Sequence, residues 1–195
     1  MWWRSKFLMK KLLFTFLFFY AFSCQKVKRK FPIDDISKVE IYSYYDRTSW
    51  DTVKVNEKAP LYKELIKEGK LTFDTAFIKE KIILNENQQK ELINLMVCDT
   101  CIPSELPAAC YMPRHLILFK DANNKILGYN EFCFECIGSR QSKNLENFQK
   151  FCLNDMSLLF KKFGIKFFGN TREQIHEEYK FADSIIKVRY PKLKE

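Results

Sequence analysis

Glycine and histidine, two residues that catalytic sites use heavily, are scarce in this chain: five glycines and two histidines in 195 residues. The glycines never cluster, so no phosphate-cradling loop can form. The histidines, His115 and His176, cannot make the paired-histidine helix of a zinc protease. His176, in Gln-Ile-His-Glu-Glu-Tyr, reads instead as a solvated helix position beside Glu173 and Glu177. No serine stands in a G-x-S-x-G context, which removes the nucleophile elbow of the α/β-hydrolases. No apolar run approaches the roughly 20 residues that span a bilayer. Acidic residues are missing altogether from residues 1–30, which hold eight of the 33 Lys and Arg.

That asymmetry explains the basic balance. The whole chain carries +9, but from Phe31 onward 25 basic residues face 24 acidic ones, or +1. The body supplies no basic face for phosphate neutralisation, so nucleic acid is not an expected partner. Lys26, Lys28, Arg29 and Lys30 read as a solvated tether beside anionic headgroups, where each charge adds about 1 kcal/mol of attraction.

What is present at the start is an address. Lys10-Lys11 precede the apolar run Leu12 to Phe22, broken only by Thr15, and then Ser23-Cys24. A charged n-region, a short apolar h-region and a small residue at the cleavage point make a secretory signal. Met9-Lys10-Lys11 would serve as an n-region on its own, so Met9 is an alternative start to Met1. The segment Ala21-Phe22-Ser23-Cys24 resembles the lipobox of bacterial lipoproteins. The resemblance implies cleavage before Cys24, a diacylglyceryl group and further acylation there, and an envelope location. Gln25 after the modified cysteine implies the outer membrane under the sorting scheme of enteric bacteria. Two or three acyl chains hold where one is marginal. The expected organisation is a signal peptide over 1–23, a lipidated tether over 24–36 and one globular domain over 37–190.

Within the body, Lys38 to Tyr45 is β-rich and partly alternating, and Asp51 to Asn56 suggests a weaker strand. Pro60 to Glu68 suggests a short helix capped by Gly69. Ala76 to Leu84 reads as a strand. Asn85-Glu86-Asn87-Gln88 resembles a capping box opening a helix, with Leu92, Ile93, Leu95 and Met96 inward. Arg114 to Asp121 and Ile126 to Cys133 flank Ala-Asn-Asn-Lys as a β-hairpin. Leu145, Phe148, Cys152, Met156, Leu159 and Phe163 follow a helical period that Gly164 stops. A last helix opens at Thr171 with Ile175, Tyr179, Ala182 and Ile186 as its apolar positions. Phe160, Phe163, Phe167 and Phe168 read as core. The fold class is α+β: a single domain with an antiparallel sheet and packed helices.

Cysteines are the residues with chemistry to offer. Beyond Cys24 there are six: Cys98, Cys101, Cys110, Cys133, Cys136 and Cys152. An even number in an exported protein points to disulfides. A hairpin turning at Asn123-Asn124 sets Arg114 opposite Cys133 and Tyr111 opposite Cys136, which brings Cys110 toward the Cys133-Phe134-Glu135-Cys136 segment. Cys152, on an apolar helical stripe, reads as a buried small hydrophobe. The sharper alternative uses the two C-x-x-C pairs, with Arg114, His115 and Glu135 as neighbours, as a thiol redox site or a zinc site of thiolates with His115. Against it, neither pair opens a helix, Glu135 raises a neighbouring thiol pKa, and the 31 residues between the pairs exceed common zinc spacings. Structural disulfides with no cofactor are therefore preferred. Glu131 and Glu135 could act as an acid-base pair, but a charged face of the hairpin is the preferred reading.

Cys110-Tyr-Met-Pro-Arg-His115 with Cys133-Phe-Glu-Cys136 resembles a block of small uncharacterised exported bacterial proteins, which implies no assigned activity. The expectation is thus an envelope lipoprotein facing the periplasm or the cell exterior. It would be a binding or assembly component rather than an enzyme, with the bilayer and an envelope protein as partners. The long Pro/Cys segment, Asp99 to Pro113, and the adjoining hairpin end would be its recognition surface.

Overall fold

The computed structural model describes residues 30–50, 65–73, 75–97, 111–146, 148 and 152–189. Cys24, Cys98, Cys101 and Cys110, and the weak strand expected over 51–56, lie outside them.

Five antiparallel strands form the main sheet: β1 (Lys38–Tyr44), β4 (Ile78–Ile83), β5 (His115–Lys120), β6 (Ile126–Cys133) and β7 (Gly138–Gln141), in the order β4-β1-β5-β6-β7. A small hairpin, β2 (Ile66–Lys67) with β3 (Lys70–Leu71), stands apart. Among the described residues, the α-helices are a single turn, α1 (Arg47–Trp50), and three longer ones: α2 (Glu86–Val97), α3 (Leu153–Phe163) and α4 (Arg172–Arg189). The domain is α+β.

Local chemistry accounts for most boundaries. Asn85 and Gln88 form the capping box reciprocally: the Gln88 backbone N–H donates to Asn85 Oδ1, and the Asn85 N–H to Gln88 Oε1, each at 3.0 Å. At α4, the Gln174 N–H donates to Thr171 Oγ1, but the Gln174 side chain does not reach back to Thr171. It clamps the preceding segment, accepting from the Phe168 and Gly169 N–H groups and donating to Lys166 O. The Gly164 N–H closes α3 on the carbonyls of Phe160 and Lys161.

The β5–β6 register sets His115 opposite Phe132 and Phe119 opposite Gly128, as a turn at Asn123-Asn124 demands. Side chains alternate across the pleat. One face therefore carries Val39, Ile41, Ile117, Phe119 and Phe132 against α2 and α3, which contribute Leu92, Met96, Met156 and Phe160. Each such side chain, when fully buried, contributes about 1.5–3 kcal/mol. The other face carries Tyr42, Tyr44, Leu116 and Leu118 under Trp50, Leu65, Phe73 and, at the margin, Phe181 and Ile185. Phe160, Phe163, Phe167 and Phe168 are all core, as expected.

Four expectations need correction. Residues 66–71 are a β-hairpin, not the end of a helix. Glu68 and Gly69 both take positive φ, 51° and 74°, the geometry of a two-residue hairpin turn, so Gly69 makes a turn and not a cap. β7 carries no strand signal, because Gly-Ser-Arg-Gln has no apolar alternation; it is held by pairing with β6. The helical stripe from Leu145 does not run unbroken: Leu145 lies in a 3₁₀ turn (Lys143–Leu145) and α3 opens only after Cys152. On α4, Tyr179 is 71% exposed and Ile175 39%, whereas Glu178 is buried, because an ion pair and not the apolar period sets the inward face.

Candidate functional site

The β6–β7 connection is the expected cysteine centre. Cys133 ends β6 opposite Gly138, and Cys133 is disulfide-bonded to Cys136 with 5.2 Å between their Cα atoms. The C-x-x-C segment is thus the loop of a hairpin, with Ile137 at a φ of 51° turning the chain into β7. Both cysteines are at most 2% exposed. Their sulfurs accept backbone N–H groups: Cys136 N donates to Cys133 Sγ at 3.2 Å, and Met112 N to Cys136 Sγ at 3.4 Å. The end of the long Pro/Cys segment is therefore tied to the disulfide turn. Cys152 is also disulfide-bonded, which corrects the reading of it as a lone hydrophobe. It stands at the N-cap position of α3, half-buried, with no side-chain capping hydrogen bond.

Arg114 and Glu135 meet at this turn. Arg114 is 7% exposed and grips Glu178 of α4 through two N–H groups, Nε to Oε1 at 3.0 Å and Nη2 to Oε2 at 2.7 Å. Its Nη1 donates to Glu135 Oε2 at 3.3 Å and to Met112 O at 3.4 Å. Burial disfavours the guanidinium charge, but Glu178, Glu135 and Asp46 outweigh that and raise the Arg114 pKa. Glu178 also accepts the Asp46 backbone N–H. The guanidinium passes directly over Gly169, at φ 71°, where a Cβ would collide with it. Bidentate geometry of this kind fixes direction as well as energy. Arg114 therefore docks α4 to the sheet, and is not aimed at a thiol.

His115 is not part of that arrangement. It faces the sheet side opposite Cys133, because its partner across the hairpin is Phe132. The ring sits between Phe134 and Phe168, at centroid distances of 4.8 and 4.7 Å, with Nε2 at 2.9 Å from Phe167 O. Burial pushes its pKa down to about 3, with the Arg114 charge adding to the effect and the hydrogen bond to Phe167 opposing it. It is a neutral, structural imidazole. Among the described residues, no group of three or more His, Cys, Asp or Glu is placed to hold a metal ion. His176 is exposed, as expected.

Glu131 was expected on a charged hairpin face and is instead 1% exposed. Alternation puts it beside Cys133 and Tyr129, under the second hydrophobic layer. Its Oε1 receives Arg47 Nε at 2.8 Å and Tyr44 OH at 2.9 Å, while Tyr111 OH lies 3.3 Å from Oε2. Arg47 is itself fully buried. Burial pushes the Glu131 carboxyl up, against the opposing charge and hydrogen bond of Arg47 and the Tyr44 hydroxyl. Tyr111 is held by Gly138 on one side and by Arg140, whose guanidinium stacks 4.2 Å from the ring centroid. Glu131 and Glu135 are not an acid-base pair, since each is committed to a different arginine.

Arg47, Glu178 and the buried Glu40 were not singled out from the sequence. For Glu40 the available signal was a lone charge between apolar neighbours, Val39-Glu40-Ile41, which marks a buried ion needing a partner; Arg47 and Glu178 carry no such signal. No protein family, curated protein or solved structure matches this chain.

Proposed function

We propose that this protein is a lipoprotein of the cell envelope, anchored through acylated Cys24, that acts as a binding or assembly component. The observation that carries the reading is the signal-like segment ending at Ser23-Cys24 with no acidic residue before it. The oxidised state of Cys133, Cys136 and Cys152 supports it, because such bonds persist outside the cytoplasm. The nearly neutral body supports a protein held at the membrane by its anchor rather than by its surface charge. The outer membrane is the proposed location, on the strength of Gln25.

The recognition surface is proposed at the Asp99 to Pro113 segment and the disulfide turn that holds its end. Intact mass of protein purified from membranes tests the anchor: Cys24 to Glu195 with acyl groups is expected, rising by about 2 Da per bond on reduction. An unmodified Cys24 thiol overturns it. Cys24→Ala is expected to release the protein from the membrane fraction.

A second reading, thiol exchange at Cys133–Cys136, draws on the two N–H groups aimed at the sulfurs, which would stabilise thiolates after reduction. Thiol titration separates the two. A scaffold disulfide yields no thiol under native conditions, whereas an exchange site yields a pair that cycles.

A further inference from the structure

At the turn end of the β5–β6 hairpin, away from the cysteines, a groove of about 660 Å³ opens between the β2–β3 hairpin and the β4–β1 side of the sheet. Behind three of its lining residues, Tyr42, Lys81 and Lys120, lies Glu40, a fully buried carboxylate on β1. Three ammonium groups converge on that one carboxylate. Lys81 Nζ lies 2.9 Å from Oε1, Lys38 Nζ 3.5 Å from the same oxygen, and Lys120 Nζ contacts Oε2. Tyr42, which lines the groove, donates its hydroxyl to Glu40.

The three side chains keep access to solvent, at 45, 30 and 14% exposure for Lys81, Lys38 and Lys120. Lys70, at the rim, adds a fourth cation and is exposed. The two other charged groups on the lining are used elsewhere: Lys79 pairs with Glu177, and Glu80 accepts from Ser43 Oγ and the Lys166 and Phe167 N–H groups. Three of the four, Lys70, Lys81 and Lys120, line the groove; one carboxylate cannot balance them, and it gathers Lys81 and Lys120. The surplus is too large for a monocarboxylate and suits an anion of about two charges. Lysine meets phosphate as a point charge without needing a fixed fork.

We propose that this groove binds a phosphate-bearing ligand through Lys70, Lys81 and Lys120, with Glu40 acting as the positioning residue that gathers Lys81 and Lys120. The phosphate belongs either to a soluble phosphorylated molecule or to a lipid headgroup. The site does not depend on the anchor at Cys24.

The test titrates the full-length protein in detergent with inorganic phosphate and, separately, with monomeric dihexanoyl phosphatidylglycerol, following backbone amide shifts. Saturable shifts at the groove are expected, weakening as salt screens the charges. The K70Q/K81Q double variant removes two exposed charges and should lose about tenfold in affinity or more. K162Q, on the opposite layer, should not change it. Both lysines of the double variant keep solvent access, and a cooperative thermal melt with an unchanged far-UV spectrum confirms that it folds. Tighter binding of inorganic phosphate assigns a soluble ligand, and tighter binding of the phospholipid assigns a headgroup. Saturation by neither probe, or equal affinity in K70Q/K81Q, overturns the proposal.

Discussion

On one face of the sheet, α2 and α3 close over Val39, Ile41, Ile117, Phe119 and Phe132, and the polar groups embedded there, His115 and Asn130, are uncharged. On the other face, the charged residues Glu40, Arg47, Glu131 and Arg114 are buried, and Trp50 and Phe73 pack over Tyr44. The two solutions differ in what they specify. Apolar packing rewards any arrangement of the right volume, so α2 and α3 are placed by shape. Buried ions reward only one partner at one distance, because an unpaired charge in the interior is far costlier than a poorly packed methyl. The charged face therefore carries the pairings that local sequence could not set: α1 to β6 through Arg47–Glu131, and α4 to the β5 entry through Arg114–Glu178.

The comparison is broken most severely at Arg47–Glu131. Arg47→Met leaves Glu131 buried without its cation and should cost about 3–5 kcal/mol in urea unfolding. Arg47→Met with Glu131→Leu should recover most of that loss, and a double variant as unstable as the single would show that the pair stabilises by more than mutual neutralisation.

Acid sharpens the contrast next. The His115 ring is neutral in the fold, with its pKa at about 3 against an ordinary 6.5, so its contribution is complete above pH 6.5 and falls away as pH drops toward 3. About 3 kcal/mol should be lost by pH 4. A His115→Phe variant should flatten that part of the stability profile. Glu40 titrates in a lower window. Burial raises its pKa, but the hydrogen bonds from Lys120, Tyr42 and Lys81 and the Lys120 charge hold it at about 2. Its stabilisation is therefore present above 4.5 and lost from there down to 2. Acid loss therefore begins with His115 below pH 6.5 and steepens as Glu40 joins it below pH 4.5.

Smaller effects follow. Replacing Cys133 and Cys136 together by serine opens a short loop and should cost roughly 2 kcal/mol, read as a lower melting temperature with the far-UV spectrum unchanged. Asn85→Ala removes one half of the α2 capping box and should cost about 1 kcal/mol. That loss concerns the apolar layer alone and should add independently to the Arg47→Met loss.

Legibility in the sequence followed the same division. Elements set by local rules were readable: the Asn85 box, the Asn123-Asn124 turn with its register, the Gly164 stop and the phenylalanine core. Elements set by distant partners were not. Tyr179 matches a helical period yet faces solvent, because Arg114, 64 residues before Glu178, rotates α4 to bring that carboxylate inward. Likewise β7 has no strand signal of its own and exists because β6 and the disulfide turn present it with a ladder. Of the candidate site residues, Cys133, Cys136, Arg114 and Glu135 are brought together, whereas His115 is carried to the opposite face by a single step of the pleat.

Among the described residues strand β4 ends the sheet, and a terminal strand is the natural place for another chain to add itself. Lys79 and Lys81 alternate along that edge, and a neighbour approaching edge to edge would set lysine against lysine. Lys81, which meets Glu40, and Lys79, which meets Glu177, thus also discourage the sheet from growing sideways into a second copy.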